Sequence, residues 1–251
     1  MRNYLLSTIA IGLYLLPTPL ARAADEEPKA LIEKAIKAYG GEEKLAGIKA
    51  IRIKSKGNID ILGQNLTFTS SGIQQMTGQL KNEITVDIMG QQITILQVYD
   101  GKKGWFRLMD ATMELDGDLL KEMQAQAHSA RVNTLVPLLK DKAFTLSPLG
   151  EVKVKGKPAL GVKVSAKDQK DIELYFDKET GLMAKVARQA FDSNTMKEVM
   201  QEMIFSDFKE TDGLKHATKV LMQHDGKKLL ELDVTEYKLL DKQDDSEFAK
   251  P

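Results

Sequence analysis

Two short stretches hold closely spaced charges of the kind that serve as acid, base or metal ligand. Asp177, Lys178 and Glu179 lie in FDKETGLMAKV, which begins at Phe176. Lys209, Glu210 and Asp212 lie in FKETDGLKHATKV, which begins at Phe208. Carboxylates this near in sequence do chemistry when they converge in a dry pocket. The surroundings here point elsewhere. Each stretch leaves an alternating apolar run, passes through Asp and Thr, and reaches Gly-Leu before alternation resumes. Asp and Thr side chains bond their own backbone in turns, and Gly supplies the positive φ a hairpin needs. Both stretches therefore read as hairpin tips. A catalytic role for Asp177 or Asp212 would require activity to vanish on substitution while the fold survived.

The other common chemistries find no footing. There is no cysteine, no G-x-S-x-G and no H-E-x-x-H. Three histidines are present. His128 falls in a helical stretch. His216 and His224 share a strand face at a separation of roughly 26 Å, too far for one metal. DATMELDGDLLKE, from Asp110, is dense in acids. Aligned to a calcium loop, however, it puts Thr112 first and Met123 last, where carboxylates are required. No catalytic residue, cofactor or metal site is expected. Basic and acidic residues number 36 each, which provides no basic face for a nucleic acid partner.

The elements that would carry any site begin after a leader. Residues 1–23 contain Arg2, an apolar run from Tyr4 to Leu16, and Ala21-Arg22-Ala23, the layout of a secretory signal peptide cleaved after Ala23. The apolar run is shorter than the roughly 20 residues of a membrane span. Without cysteine the exported chain has neither disulfide nor lipid-acceptor thiol, and a periplasmic destination follows. Residues 27–39 show apolar positions at helical spacing and stop at Gly40-Gly41. The period then becomes two. Ile51, Ile53, Ile59 and Ile61 face one way against Arg52, Lys54, Lys56, Asn58 and Asp60. Leu66 with Phe68, then Ile84, Val86 and Ile88, then Ile93 with Ile95 continue the alternation. A helical stretch over 116–142 carries Leu119, Leu120, Met123 and Ala127, capped by Asp116 or Asp118, with a kink expected at Pro137. Alternation returns near Phe144 and runs to Leu240.

These elements predict an α+β chain, mainly antiparallel β. It is a curved half-barrel sheet of roughly ten strands, with an N-terminal helix and a central helical insert covering its apolar face. One domain spans 24–243, and 244–251 form a polar C-terminal tail. Met196, Met200 and Met203, and Met109, Met113 and Met123, are methionine groups suited to an irregular apolar ligand or to ordinary packing.

Several of the turns resemble those of a known family. LYFDKETGL (from Leu174), FSDFKETDGLKHATKV (from Phe205), VYDGKKGW (from Val98) and AYGGEEKLAGIKAIRIKSKG (from Ala38) are similar to stretches of the LolA/LolB-like periplasmic lipoprotein carriers and outer-membrane lipoprotein-sorting proteins. Ala217 stands where that family usually has proline. The resemblance implies a non-enzymatic binding or carrier protein that holds lipoprotein acyl chains or another lipid in an apolar cavity. Ile51, Ile53, Ile59, Ile61, Leu66, Phe68, Ile84, Val86 and Ile88 would line the cavity, and Leu119, Leu120 and Met123 would form a lid. It further implies a lid-closing arginine, for which Arg52, Arg107 and Arg131 are the candidates. A transient membrane-protein partner is also implied. An envelope sensor or interaction module on the same fold is the alternative.

Overall fold

In a computed structural model the chain is described over residues 27–61 and 63–251; the expected signal peptide lies outside them. Helix α1 (Pro28–Tyr39) forms where the sequence places it. Pro28 occupies its first turn, and Leu31, Ile32, Ala35 and Ile36 are buried along one stripe. Gly40 ends it at φ +126°, where a Cβ would come within 2.2 Å of the Gly213 carbonyl oxygen. The chain turns through α2 (Glu42–Ala46) into the first strand.

Thirteen strands follow, all in one antiparallel sheet. They are β1 (Ala50–Ile61), β2 (Gln64–Gln75), β3 (Leu80–Ile88), β4 (Gln91–Tyr99), β5 (Gly104–Leu108), β6 (Ala111–Leu115), β7 (Phe144–Val154), β8 (Lys157–Ala166), β9 (Ile172–Asp177), β10 (Met183–Asp192), β11 (Lys197–Thr211), β12 (Leu214–His224) and β13 (Lys227–Leu240). The expected architecture holds. The count exceeds roughly ten mainly because β5 and β6 are five-residue strands, too short for alternation to stand out among turn residues. The acid-rich segment from Asp110 is thus partly strand β6.

The order is β6-β5-β4-β3-β2-β1-β13-β12-β11-β10-β9-β8-β7. Two meanders join where β1 pairs with β13, which leaves β6 and β7 as the free edges. Helices α3 (Gly117–Asn133) and α4 (Val136–Lys140) connect those two edges. Laid flat, the sheet would hold its edges roughly 57 Å apart, whereas α3 is only about 26 Å long. The sheet must curl to let the insert close it. The helix break falls at Thr134–Leu135, and Pro137 sits in the first turn of α4.

Strand register places α1, α3 and α4 on one face. The main core packs Leu31, Ile32 and Ile36 of α1 and Val136 and Leu138 of α4 on Val162, Leu174, Phe176 and Val186. A second cluster packs Met123 and Ala127 of α3 on Leu80 and Tyr99. On the opposite face, Phe248 is wholly buried among Ile73, Leu96, Val98 and Trp105. It belongs to a 3-10 turn at Asp245–Phe248, within the segment read as a polar tail.

Candidate functional site

The two charged stretches are hairpin tips. Asp177 Oδ1 accepts from the Glu179 and Thr180 N–H groups (3.2 and 2.7 Å) and from Thr180 Oγ1 (2.9 Å). Burial pushes the Asp177 pKa up, but the Thr180 bonds, the charge of Lys157 and the Glu179 N–H together outweigh it and leave the group below its ordinary value. Asp212 and Gly213, both at positive φ (53° and 75°), turn β11 into β12. Both tips seat against the N-terminal helices. Lys34 Nζ donates to Lys178 O (3.0 Å) and Lys44 Nζ to Gly213 O (3.4 Å). Among the described residues, no group of three His, Cys, Asp or Glu side chains is arranged to hold a metal.

The expected lining residues do share one face. Ile53 stands opposite Gly72, Ile59 opposite Leu66, Phe68 opposite Val86, and Ile84 opposite Ser70. The same register carries Ile51 to Leu239 and Ile59 to Leu230, and it is the helix-covered face. Phe68 and Val86 are buried; Ile51, Ile53, Ile59, Ile61, Leu66, Ile84 and Ile88 are half-buried. Two features interrupt the strip. Ser55 and Ser70 bond each other at 2.6 Å, and Gly57 and Gly72 contribute no side chain to it. The second meander extends it through Leu230, Leu232, Val220, Met222, Met203 and Phe205, all half-buried. Of the methionine groups, Met203 and Met123 point inward. Met196, Met109 and Met113 are exposed, and Met200 points to the other face, so neither group acts as a unit.

Helix α3 lies over this face. Met123 is buried on Leu80 and Tyr99, with Leu120 packed beside it, and Leu119 is half-buried. Its other flank is fastened to β10. Arg188 Nη1 and Nη2 donate to the two Glu122 oxygens (3.2 and 2.5 Å), and Glu122 Oε2 also accepts the Phe191 N–H (2.9 Å). The side chains are only 5% and 12% exposed, so this bidentate pair is nearly dry. Beside it, His224 Nδ1 approaches Asp192 Oδ2 (3.9 Å), and Gln201 Nε2 meets His224 Nε2 (3.2 Å). Burial pushes the His224 pKa down, against the pull of Asp192.

None of the three candidate arginines makes this contact. Arg52 and Arg107 project to the opposite face by register. Arg131, near the end of α3, pairs with Asp141 (2.6 Å). Arg188 shares the inward face of β10 with Val186 and Ala190. A charge at an inward strand position was the available signal, and alternation alone passed over it.

Two concavities flank the strip without being formed by it. One, of about 440 Å³, lies on the opposite face among Lys56, Asn58, Thr67, Thr69, Asp87 and Asp233, and of the expected lining residues touches Phe68 alone. The other, of about 710 Å³, opens where α2, the end of α3 and α4 meet Met76 of the β2–β3 turn, and touches none of them.

A curled antiparallel sheet with helices over its inner face is a half-barrel. Solved structures share it. A LolA superfamily protein from Nitrosomonas europaea superposes with TM-score 0.56 at 12% identity, covering 89% of this chain and 97% of that one. A DUF1329 family protein from Desulfovibrio piger gives 0.56 at 15%, covering 88% and 97%. A putative outer membrane lipoprotein-sorting protein domain from Vibrio parahaemolyticus gives 0.54 at 11%, covering 89% and 98%. Neither a protein-family model nor a curated protein matches the chain by sequence.

Proposed function

We propose that this is an exported, non-enzymatic lipid-binding protein of the cell envelope, one that shelters an acyl chain between the inner face of its sheet and the α3 lid. The observation that carries this reading is the strip of buried and half-buried apolar residues from β3 to β11, broken at Ser55–Ser70, Gly57 and Gly72, on the face over which a helix lies whose tie to β10 is an ion pair. Lipoprotein sorting is the delivery role that the fold neighbours bring to mind, and a membrane-bound acceptor is its natural partner. Binding would be driven by apolar burial, at about 0.8 kcal/mol per CH₂, with α3 swinging away to admit the chain.

A fluorescent fatty-acid probe should bind the mature protein. Phe68→Asp or Val86→Asp, each placing a charge in the strip, should abolish binding while circular dichroism stays native. Absence of binding by the wild type to every acyl probe would overturn the reading.

A further inference from the structure

The groove of about 710 Å³ between α2 and α4 falls within the size range of small-molecule sites, roughly 300–1,000 Å³. Its floor is apolar: Leu45, Ile48, Met76, Val136 and Pro137. Leu45 and Val136 belong to the main core, and Ile48 packs against it, so the floor is continuous with the packing beneath the helices. Its rim is cationic. Arg131, Lys140 and Lys142 line it together with Asp141. Arg131 is bonded to Asp141, and Lys140 to Glu42 of α2 (2.9 Å). Three cations thus stand against two acids, an excess of one positive charge at the mouth of an apolar groove.

The groove wall also holds an unusual backbone. Leu135 has φ +66° and ψ −45°, and the Val136 N–H donates back to Thr134 O (2.8 Å), closing a γ-turn. This is a rare, strained conformation for a bulky residue. The Leu135 side chain, 1% exposed, anchors it. The α3–α4 joint is therefore held by packing.

We infer that this groove is a headgroup site for a single-chain amphiphile carrying one negative charge, a carboxylate or a phosphodiester. The head sits at Arg131, Lys140 and Lys142, and the chain lies on the apolar floor and runs toward the space under α3. The assignment rests on the lipid-binding reading above and adds to it the charge of the ligand and the end from which it enters.

The test uses the mature protein with three probes: a fluorescent fatty acid, its uncharged methyl ester, and a lysophosphatidylglycerol as competitor. The acid should bind about tenfold more tightly than the ester. Lys140→Glu/Lys142→Glu should remove that preference by weakening binding of the acid about tenfold. Lys142→Glu alone, which spares the Lys140–Glu42 pair, should reduce it. Displacement of the acid by lysophosphatidylglycerol at lower concentration than by unlabelled fatty acid assigns the phosphodiester as the preferred head, and the reverse order assigns the carboxylate. Equal affinity for acid and ester, or a preference that survives charge reversal, overturns the headgroup site while leaving lipid binding intact. Failure of acid and ester alike overturns the lipid-binding reading and the site with it.

Discussion

Arg188 occupies an inward position of β10, between Val186 and Ala190 in the alternation, and its guanidinium finds one carboxylate, that of Glu122 on α3. Desolvating two charges costs several kcal/mol each, and only good geometry and extra hydrogen bonds recover it. The Phe191 N–H and the Gln189 carbonyl supply those extra bonds. Such a pair adds little net stability, but it penalises any arrangement that separates its members without hydrating them. It suits a lid that must either be shut or be fully open to water. Arg188→Met should therefore destabilise the protein by about 3 kcal/mol, because Glu122 is left buried and unpaired. Arg188→Met with Glu122→Leu should recover most of that loss. Urea denaturation of the two single variants and the double variant gives the coupling directly. Near-additive losses would show that the pair does not act as a unit. Arg188→Lys should not restore the wild-type value, since an ammonium cannot make the two parallel bonds.

At the scale of elements, the turns were legible and the covers less so. Asp177 and Asp212 sit in tips whose Gly and Asp announce them, so strand boundaries followed from local chemistry. Helix α3 was readable as a helix, but not the strands it would rest on, because that depends on how far the sheet curls. The last segment was the hardest. Its composition is polar, yet Gln243 N–H donates to the buried Gln75 (2.7 Å), Lys81 pairs with Glu247 (2.8 Å), and Phe248 is fully buried. The segment crosses β2 and β3 and ends near β6, where Thr112 Oγ1 donates to the Pro251 carbonyl (3.3 Å). The clue lay in β4, which is apolar on both faces: Ile93 and Ile95 on one, Leu96 and Val98 on the other. A strand apolar on both sides needs two covers, and the segment after β13 supplies the second. Phe248→Ala should cost about 3 kcal/mol, the usual penalty for truncating a fully buried aromatic. It should also render residues after Leu240 sensitive to brief proteolysis under native conditions. A midpoint of unfolding within experimental error of wild type would mean that the strap is not held by this side chain.

For the molecule as a whole, strand alternation and turn chemistry were enough to read an antiparallel half-barrel, because both are local. The closed state also carries the histidines. His128, on α3, lies beside Phe144 (5.8 Å between ring centroids), His216 stacks on Tyr237 (4.1 Å), and His224 borders the Arg188–Glu122 clasp. Burial is the leading cause of a lowered pKa in each of the three, and it pushes the Tyr237 hydroxyl up to about 12. The sign of the pH effect follows. Below the unfolded-state histidine pKa of about 6.5, the unfolded chain binds protons that the folded chain resists, so stability falls as pH drops through that window. The surface aspartates with lowered pKa values, such as Asp171 and Asp207, act in the same direction, but only on approach to the unfolded carboxylate value of about 3.9. They leave the range above about pH 5 to the histidines. The urea midpoint should decline between about pH 7 and pH 5.5, and His128→Gln/His224→Gln should flatten that decline. A midpoint that holds steady or rises over the same interval would show that the inner face is not as dry as its packing implies.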